Sequence, residues 1–443
     1  MSRKVLIVNL EFPPIGGPGV QRVLKFVRYL PREDWMPTVI CGDKATWHTW
    51  RDHSLLEEIP DGVDVFRISF AGIEDCSAFA TAMAEAVLCP LRLFFSKEKI
   101  REELRDTLHP LLSYAHPQPL VMWVYHAAKR ALQCHELKEF DAVLTSGPPH
   151  ITHMVGLALK GLCQVKWIAD FRDPWIDNRL YADSLGLSQR LDRMWERLVL
   201  RKADCIVAVS QNWARLLAKK LSHSDKSRVH VVYNGYDPDD IPEPEDGEPS
   251  SNELRIHYNG SIQGPMLPVL FFKALAQLKE QESAVYRDLV CTFTGLPVDV
   301  AKLAASLQLN GIVKDVGRLS HAESVRAVMA SDVLLLILNN VDETCEGQIT
   351  GKVYEYLAAG KHILAIIPSA GDLYALLKNH ERCSVVSWDD LEGIVTTLKF
   401  LITKKGRGQL GWSSPPNWID HYTREAQTAR LARILQSLVQ GVP

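Results

Sequence analysis

Two series of short apolar runs, each run followed by a stretch with helical spacing, constrain this 443-residue chain more than anything else in it. The first series falls at residues 4–9, 37–41, 64–68, 142–145, 167–169 and 205–209. The second falls at 255–258, 290–294, 312–316, 333–338, 362–366 and 383–386. Continuous apolar runs of this length suit strands buried on both faces, as in a parallel sheet. Helices returning the chain between them make βα units, so the pattern predicts two doubly wound α/β domains. Residues 234–252 are rich in Asp, Glu, Pro and Ser, lack apolar periodicity, and read as a linker. The expected division is 1–234, a linker at 235–253, a second domain at 254–415, and a closing segment at 416–443 whose helix spans 424–439. Two such halves leave a cleft at the carboxyl ends of their sheets, where open α/β folds bind ligands. Residues 91–139, of mixed charge, read as a long helical insertion.

Composition narrows the class. With 47% hydrophobic and 23% charged residues the chain resembles an ordinary globular protein. A net charge of −3 excludes a generally basic nucleic-acid binder. Residues 1–235 hold 31 lysines and arginines against 27 acids, the remainder 19 against 26. The slightly basic first half is compatible with an anionic acceptor or a membrane surface. Nine cysteines, odd in number and without a C-x-x-C pair, look like reduced cytosolic thiols rather than a disulfide or zinc framework. The apolar run at 5–8 is far too short for a leader, so a cytoplasmic location is expected. Residues 78–95 are the most membrane-like, yet Glu85, Pro90 and Arg92 interrupt them. They read either as a helix packed on its own domain or as one touching the inner face of a membrane.

Five motifs stand at strand ends. Pro13-Pro14-Ile15-Gly16-Gly17-Pro18-Gly19 follows the first run, and its glycines let backbone approach a phosphate or sugar closely. It lacks the G-x-G-x-x-G spacing of a dinucleotide fingerprint. Thr145-Ser146-Gly147-Pro148-Pro149-His150-Ile151-Thr152-His153 opens a helix near its proline, which puts both histidines in the first turns. Asp170-Phe171-Arg172-Asp173-Pro174-Trp175 sets two carboxylates around an arginine, a salt-bridged loop or a polar site. Asp237-Pro238-Asp239-Asp240 reads as solvated linker. The fifth, residues 345–361, places Gly347, Gly351 and Lys352 at the start of a short helix and Glu355 one turn on. Bare amides and a cation suit a phosphate, and the carboxylate suits a vicinal diol, the outline of a nucleotide. A capped structural helix with a surface Lys–Glu pair is the other reading. Val353 follows Lys352 where a P-loop needs Ser or Thr, so a P-loop ATPase is excluded.

Taken in order, 13–19, 146–153, 170–175, Val232-Tyr233-Asn234-Gly235-Tyr236-Asp237 and 351–360 resemble the retaining GT-B glycosyltransferases of family 4. Within it the likeness is to the bacterial subgroup carrying Asp-Phe-Arg-Asp-Pro-Trp, and it runs over nearly the whole chain. The resemblance implies two Rossmann-like domains facing across a cleft, with the last helix crossing back to the first. It implies a nucleoside-diphosphate sugar of UDP or GDP type on the second domain. Glu355 would grip the ribose, and Lys352 with the loop of Gly347, Thr350 and Gly351 would take the diphosphate. Arg318 and Leu319 would border the base, Gly260 and Ser261 the first strand's end, and Gly16 and Gly17 the donor phosphate and acceptor.

Three departures matter. The family's donor-sugar Glu falls at Gly347 here, with Glu346 beside it. The Arg and Lys common after the second domain's first strand are absent from 260–264. Arg172 stands where many members have His, leaving Asp170, Arg172 or His153 for the reacting sugar. The resemblance implies hexosyl transfer with retention to a glycan, lipid-linked or small-molecule hydroxyl acceptor, in polysaccharide or glycolipid assembly. With no D-x-D motif in a strand-end loop, no metal or other cofactor is expected. A GT-B-shaped epimerase or phosphorylase, and a catalytically silent nucleotide-sugar-binding subunit, remain alternatives.

Overall fold

Both apolar series fold into parallel sheets. The computed structural model describes residues 2–43, 51–69, 118–133, 140–178, 186–242, 253–260, 262, 264–282, 286, 288–339 and 343–441. The stretch read at 78–95, most of the insertion at 91–139, and Ser261 lie outside the described residues. The chain divides into a first unit of Met1–Val209, Trp213–Val232 and Thr428–Pro443, and a second of Ser210–Asn212 and Tyr233–Gln427.

Seven strands build the first unit's sheet: β1 (Arg3–Val8), β2 (Trp35–Gly42), β3 (Val65–Ile68), β4 (Ala142–Gly147), β5 (Trp167–Phe171), β6 (Cys205–Ala208) and β7 (Val229–Val231). Helices α1 (Pro18–Tyr29), α2 (Gln118–Gln133), α3 (His153–Cys163), α4 (Gly186–Lys202) and α5 (Gln211–Lys219) are interleaved with them. The strand order is β3-β2-β1-β4-β5-β6-β7, all parallel, with Val5 opposite both Pro37 and Ala142. The order reverses between β1 and β4, so the carboxyl ends of those two strands mark the ligand crevice of this sheet.

The second unit repeats the scheme. Strands β8 (Leu254–Tyr258), β9 (Leu289–Phe293), β10 (Val313–Asp315), β11 (Val333–Ile337), β12 (His362–Ile367) and β13 (Cys383–Ser387) run in the order β10-β9-β8-β11-β12-β13. Here the reversal lies between β8 and β11. Helices α6 (Val269–Gln281), α7 (Val298–Ser306), α8 (His321–Met329), α9 (Lys352–Ala358), α10 (Gly371–Leu377), α11 (Leu391–Gly406) and α12 (Arg424–Gln440) follow. Strand periodicity explains the apolar runs: Val333, Leu335 and Ile337 enter one core, Leu334, Leu336 and Leu338 another. Each side chain of β11 is therefore buried on one face or the other.

The final helix serves the first unit. Leu431, Ala432 and Leu435 of α12 share a core with Val20, Val23, Leu24 and Val27 of α1. The start of the expected linker is folded rather than solvated. Tyr236 donates its N–H to the Tyr422 carbonyl (3.1 Å) and accepts from Arg424 N–H (2.8 Å). A Cβ on Gly235 would sit 2.1 Å from that Tyr422 oxygen, so glycine is required. Asp237 is buried and caps Asp239 N–H (3.2 Å), while Asp240 pairs with His321 (3.0 Å). These partners correct the solvated reading for Asp237 and Asp240, while Pro238 and Asp239 are exposed as that reading expects.

Candidate functional site

At the second unit's reversal point one cation lacks a partner. Lys352 is the first residue of α9, behind its N-cap Gly351. Its stem is partly exposed, but Nζ is shut off from solvent and makes no hydrogen bond. The ammonium rests on the face of Tyr258, 3.8 Å from the ring centroid. Burial pulls its pKa down to about 7, with Glu355 pulling the other way. A quadrupole alone is weak compensation for lost hydration and lost hydrogen bonds. An anion delivered to Nζ would supply both.

The walls beside Nζ are fixed. Gly260 has φ +95°, and a Cβ there would touch Lys352 Nζ at 3.5 Å. Its N–H donates to Thr294 Oγ1 (2.6 Å), while Asn259 N–H donates to the buried Tyr356 hydroxyl (2.9 Å). Ser324 Oγ donates to Asn259 Oδ1 (2.5 Å). The loop after β8 is thus pinned to α8, α9 and the end of β9. His257, one residue before Tyr258, is held neutral at about 4, by burial first and Lys352 second, and adds no charge.

Thr350, just before Gly351, also has a buried Oγ1 without a partner. The amides are less open than the glycines suggested. Val353 N–H bonds to the Thr350 carbonyl (3.1 Å), Tyr354 N–H to Gly351 (3.3 Å) and Gln348 N–H to Cys345 (3.1 Å). Glu355 is half-buried. Burial raises its pKa, His321 and Arg424 lower it, Asp240 raises it and Lys352 lowers it. Arg318 is exposed, and Leu319 half-buried, in a loop whose Asp315 Oδ1 accepts from Gly295 N–H (3.0 Å) and Gly317 N–H (2.9 Å). Those bonds tie the ends of β9 and β10 together. Gly347 is buried, whereas Glu346 is exposed, its backbone carbonyl against Gly371.

The first unit gathers its motifs at its own reversal point. Gly17 caps α1 with φ +121°, and Gly16 precedes it, buried. Arg172 donates from Nη1 to the Gly19 carbonyl and from Nη2 to the Pro148 carbonyl. A Cβ on Gly19 would lie 2.5 Å from Nη1, so a side chain there would displace the guanidinium. Asp170 is closed off: Oδ1 accepts from Arg22 Nη2 (2.8 Å), and Oδ2 from Arg22 Nε (3.1 Å) and Ser146 Oγ (2.7 Å). Asp170 is thereby saturated, whereas Arg172 keeps a buried Nε without a hydrogen-bond partner.

His153 differs from them. It is fully buried, stacks on Phe171 (4.7 Å), and its Nε2 has no partner. Thr145 Oγ1 accepts from Trp167 Nε1 (2.9 Å) and is hydrogen-bonded to His153 Nδ1 (2.9 Å). Nε2 lies beside the bare flank of Gly147. Burial drives the ring pKa down to about 3, with Asp170 raising and Arg172 lowering it. His153 is a neutral ring.

Sequence reading missed Arg22, Gly19, Tyr258, Thr294 and Tyr356. Arg22 left a faint trace, a cation between Val20 and Val23 on an otherwise apolar stripe. Tyr258 closes an apolar run directly before Asn259-Gly260, the one sequence hint that it borders a ligand loop.

Residues 16–235 match the family model described as glycosyl transferase 4-like domain. The chain is similar in structure to sucrose-phosphate synthase from Thermosynechococcus elongatus, with 13% identity, TM-score 0.65, and 99% of this chain and 100% of that chain covered. Lipopolysaccharide outer core galactosyltransferase WaaB, in its apo form, is similar at 12% identity and TM-score 0.56 over 98% and 99%. S. aureus MnaA, in a co-structure with UDP, is similar at 13% and 0.51 over 100% and 98%. No curated protein sequence matches the chain. Identities this low carry the fold alone, and the fold they share is GT-B. Residues 16–235 are therefore similar to the glycosyl transferase 4-like domain, and the whole chain has a GT-B fold of two Rossmann-like units.

Proposed function

We propose that the protein is a retaining hexosyltransferase that moves a sugar from a UDP or GDP sugar to a hydroxyl acceptor in cell-surface polysaccharide or glycolipid assembly. The observation carrying this reading is the buried, unpartnered ammonium of Lys352 at the reversal point between β8 and β11. A donor diphosphate completes it. Thr350 Oγ1, Gly351, Gly347 and the Gly260–Ser261 turn would surround the phosphates, Glu355 the ribose diol, Arg318 and Leu319 the base, and Glu346 the sugar. On the first unit, Gly16, Gly17 and His153 would serve the acceptor side. Asp170 acts as a positioning residue in this scheme, because Arg22 and Ser146 already occupy both of its oxygens, while Arg172 keeps a free Nε.

As the anomeric C–O bond to phosphate breaks, negative charge collects on the diphosphate. Lys352 holds that charge better in the transition state than in the ground state. The acceptor oxygen bonds to the anomeric carbon on the same face, its proton passes to the departing phosphate oxygen, and a nucleoside diphosphate leaves. This route asks for no carboxylate pair and no divalent ion, so turnover should withstand chelators. Lys352→Ala should lower turnover by at least about a hundredfold with folding intact. A variant as active as wild type removes the assignment. Nucleotide release without any acceptor would instead favour an epimerase or phosphorylase reading.

A further inference from the structure

The sequence of α4 sorts its charges by face. Arg190, Arg193, Arg197 and Arg201 recur at steps of three and four, which places them on one stripe of a helix. All four are exposed, as is Met194 among them, at 42%. The acids of the helix point elsewhere. Glu196 is buried and accepts both of its bonds from Lys220 (2.9 and 2.7 Å), and Asp192 accepts from Trp175 Nε1 (3.3 Å). Trp195, Val199 and Leu200 fill the inner face. Among the described residues none of the four arginines has an ion-pair partner.

We propose that the outer face of α4 docks the first unit on an anionic lipid bilayer. The stripe is about 16 Å long, enough to lie along a surface rather than grip a single phosphate. Guanidiniums without a built pocket suit headgroup phosphates, which move laterally to meet them. Apolar side chains extend the same surface. α3 packs beside α4, and Lys160 near its end pairs with Asp204, just past α4 (2.7 Å). Leu162, 69% exposed, and the exposed Lys166 therefore sit near the Arg201 end of the stripe. A basic row with apolar side chains at its edge matches an interfacial helix. No aromatic side chain is exposed on this face of α4, so it offers no stacking platform for a nucleic acid. The inference stands apart from the nucleotide-sugar reading and does not need it.

The test is flotation of the full chain with phosphatidylcholine vesicles, and with vesicles that also contain phosphatidylglycerol. Wild type should bind only the second kind and be released by high salt. Arg193→Gln with Arg197→Gln should weaken partitioning by about twenty-five-fold, and all four Arg→Gln changes by roughly six-hundredfold, given roughly fivefold per arginine. Melting temperature should be unchanged, which separates loss of docking from loss of fold. If the fourfold variant partitions like wild type, or wild type ignores anionic vesicles, the proposal is wrong. Preferential binding to polyglutamate or to single-stranded RNA would overturn it in favour of a protein or nucleic-acid partner.

Discussion

A lysine without an acceptor destabilises the fold that keeps it, so Lys352 marks a place where stability has yielded to binding. Its stem packs normally; the cost resides in Nζ, over Tyr258 and away from water. Lys352→Met, which keeps the stem and removes the charge, should raise the stability of the unliganded protein by about 1–2 kcal/mol. On the proposed function, UDP or GDP should raise the Tm of wild type and leave that of the Met variant unchanged. Denaturant unfolding that shows the Met variant no more stable would contradict this account of the site. The lowered pKa has a second consequence. Below about pH 7 the amine is already charged; above it the amine is increasingly neutral until a diphosphate draws a proton back on. Nucleotide binding at pH 8 should therefore take up protons, and affinity should fall by up to about tenfold per pH unit above 7. Calorimetry in buffers of different ionisation enthalpy would measure the uptake. Lys352→Arg, which cannot lose its proton, should remove both effects. His153 offers the opposite solution, a ring held neutral from pH 5 to 9. The sequence showed Lys352 as a cation behind a glycine. It did not show the missing partner, because Tyr258, Gly260 and Thr294 come from other strands. Nor did it show the partner of Asp170, since Arg22 lies 148 residues away.

α9 has seven residues, too few to be stable alone, and its neighbours hold it. Val353, Tyr354, Tyr356 and Leu357 are buried, and Tyr354 stacks on Tyr422 (5.0 Å). The helix stops at Gly360, whose φ is +65° and whose absent Cβ would otherwise meet Ser413 O at 2.1 Å. Gly360→Ala should cost about 2–4 kcal/mol, from left-handed strain plus backbone displacement. A lowered denaturation midpoint with unchanged m would record it. Such elements were legible because burial on both sides leaves continuous apolar runs, as in β11 and β12. β7 escaped notice because Val229–Val231 is three residues long and merges with Val232 and Tyr233. The edge strand β10 proved shorter than its apolar run, with Lys314 and Asp315 exposed. The closed amides of α9 were not legible either, since glycine permits an open turn without enforcing one.

Across the whole molecule the first unit is discontinuous: the chain leaves it at Val232 and re-enters at Thr428. The two-sheet plan could be read from the two apolar series. That the last helix completes the earlier core came from family likeness, because an amphipathic pattern does not name its partner. Leu435 is fully buried beside α1, so Leu435→Ala should destabilise the first unit by about 2–4 kcal/mol. Urea unfolding followed by a probe in each unit should show only the first transition move, and an equal shift in both would refute that division. The same discontinuity bears on synthesis. A ribosome reaches the last piece of the earlier core only after translating the whole later one, which takes roughly ten to forty seconds. During that interval Val20, Val23, Leu24 and Val27 lack the part of their cover that Leu431, Ala432 and Leu435 supply. The nascent polypeptide is then most exposed to aggregation, and a chaperone that shields oily surface has its clearest reason to bind.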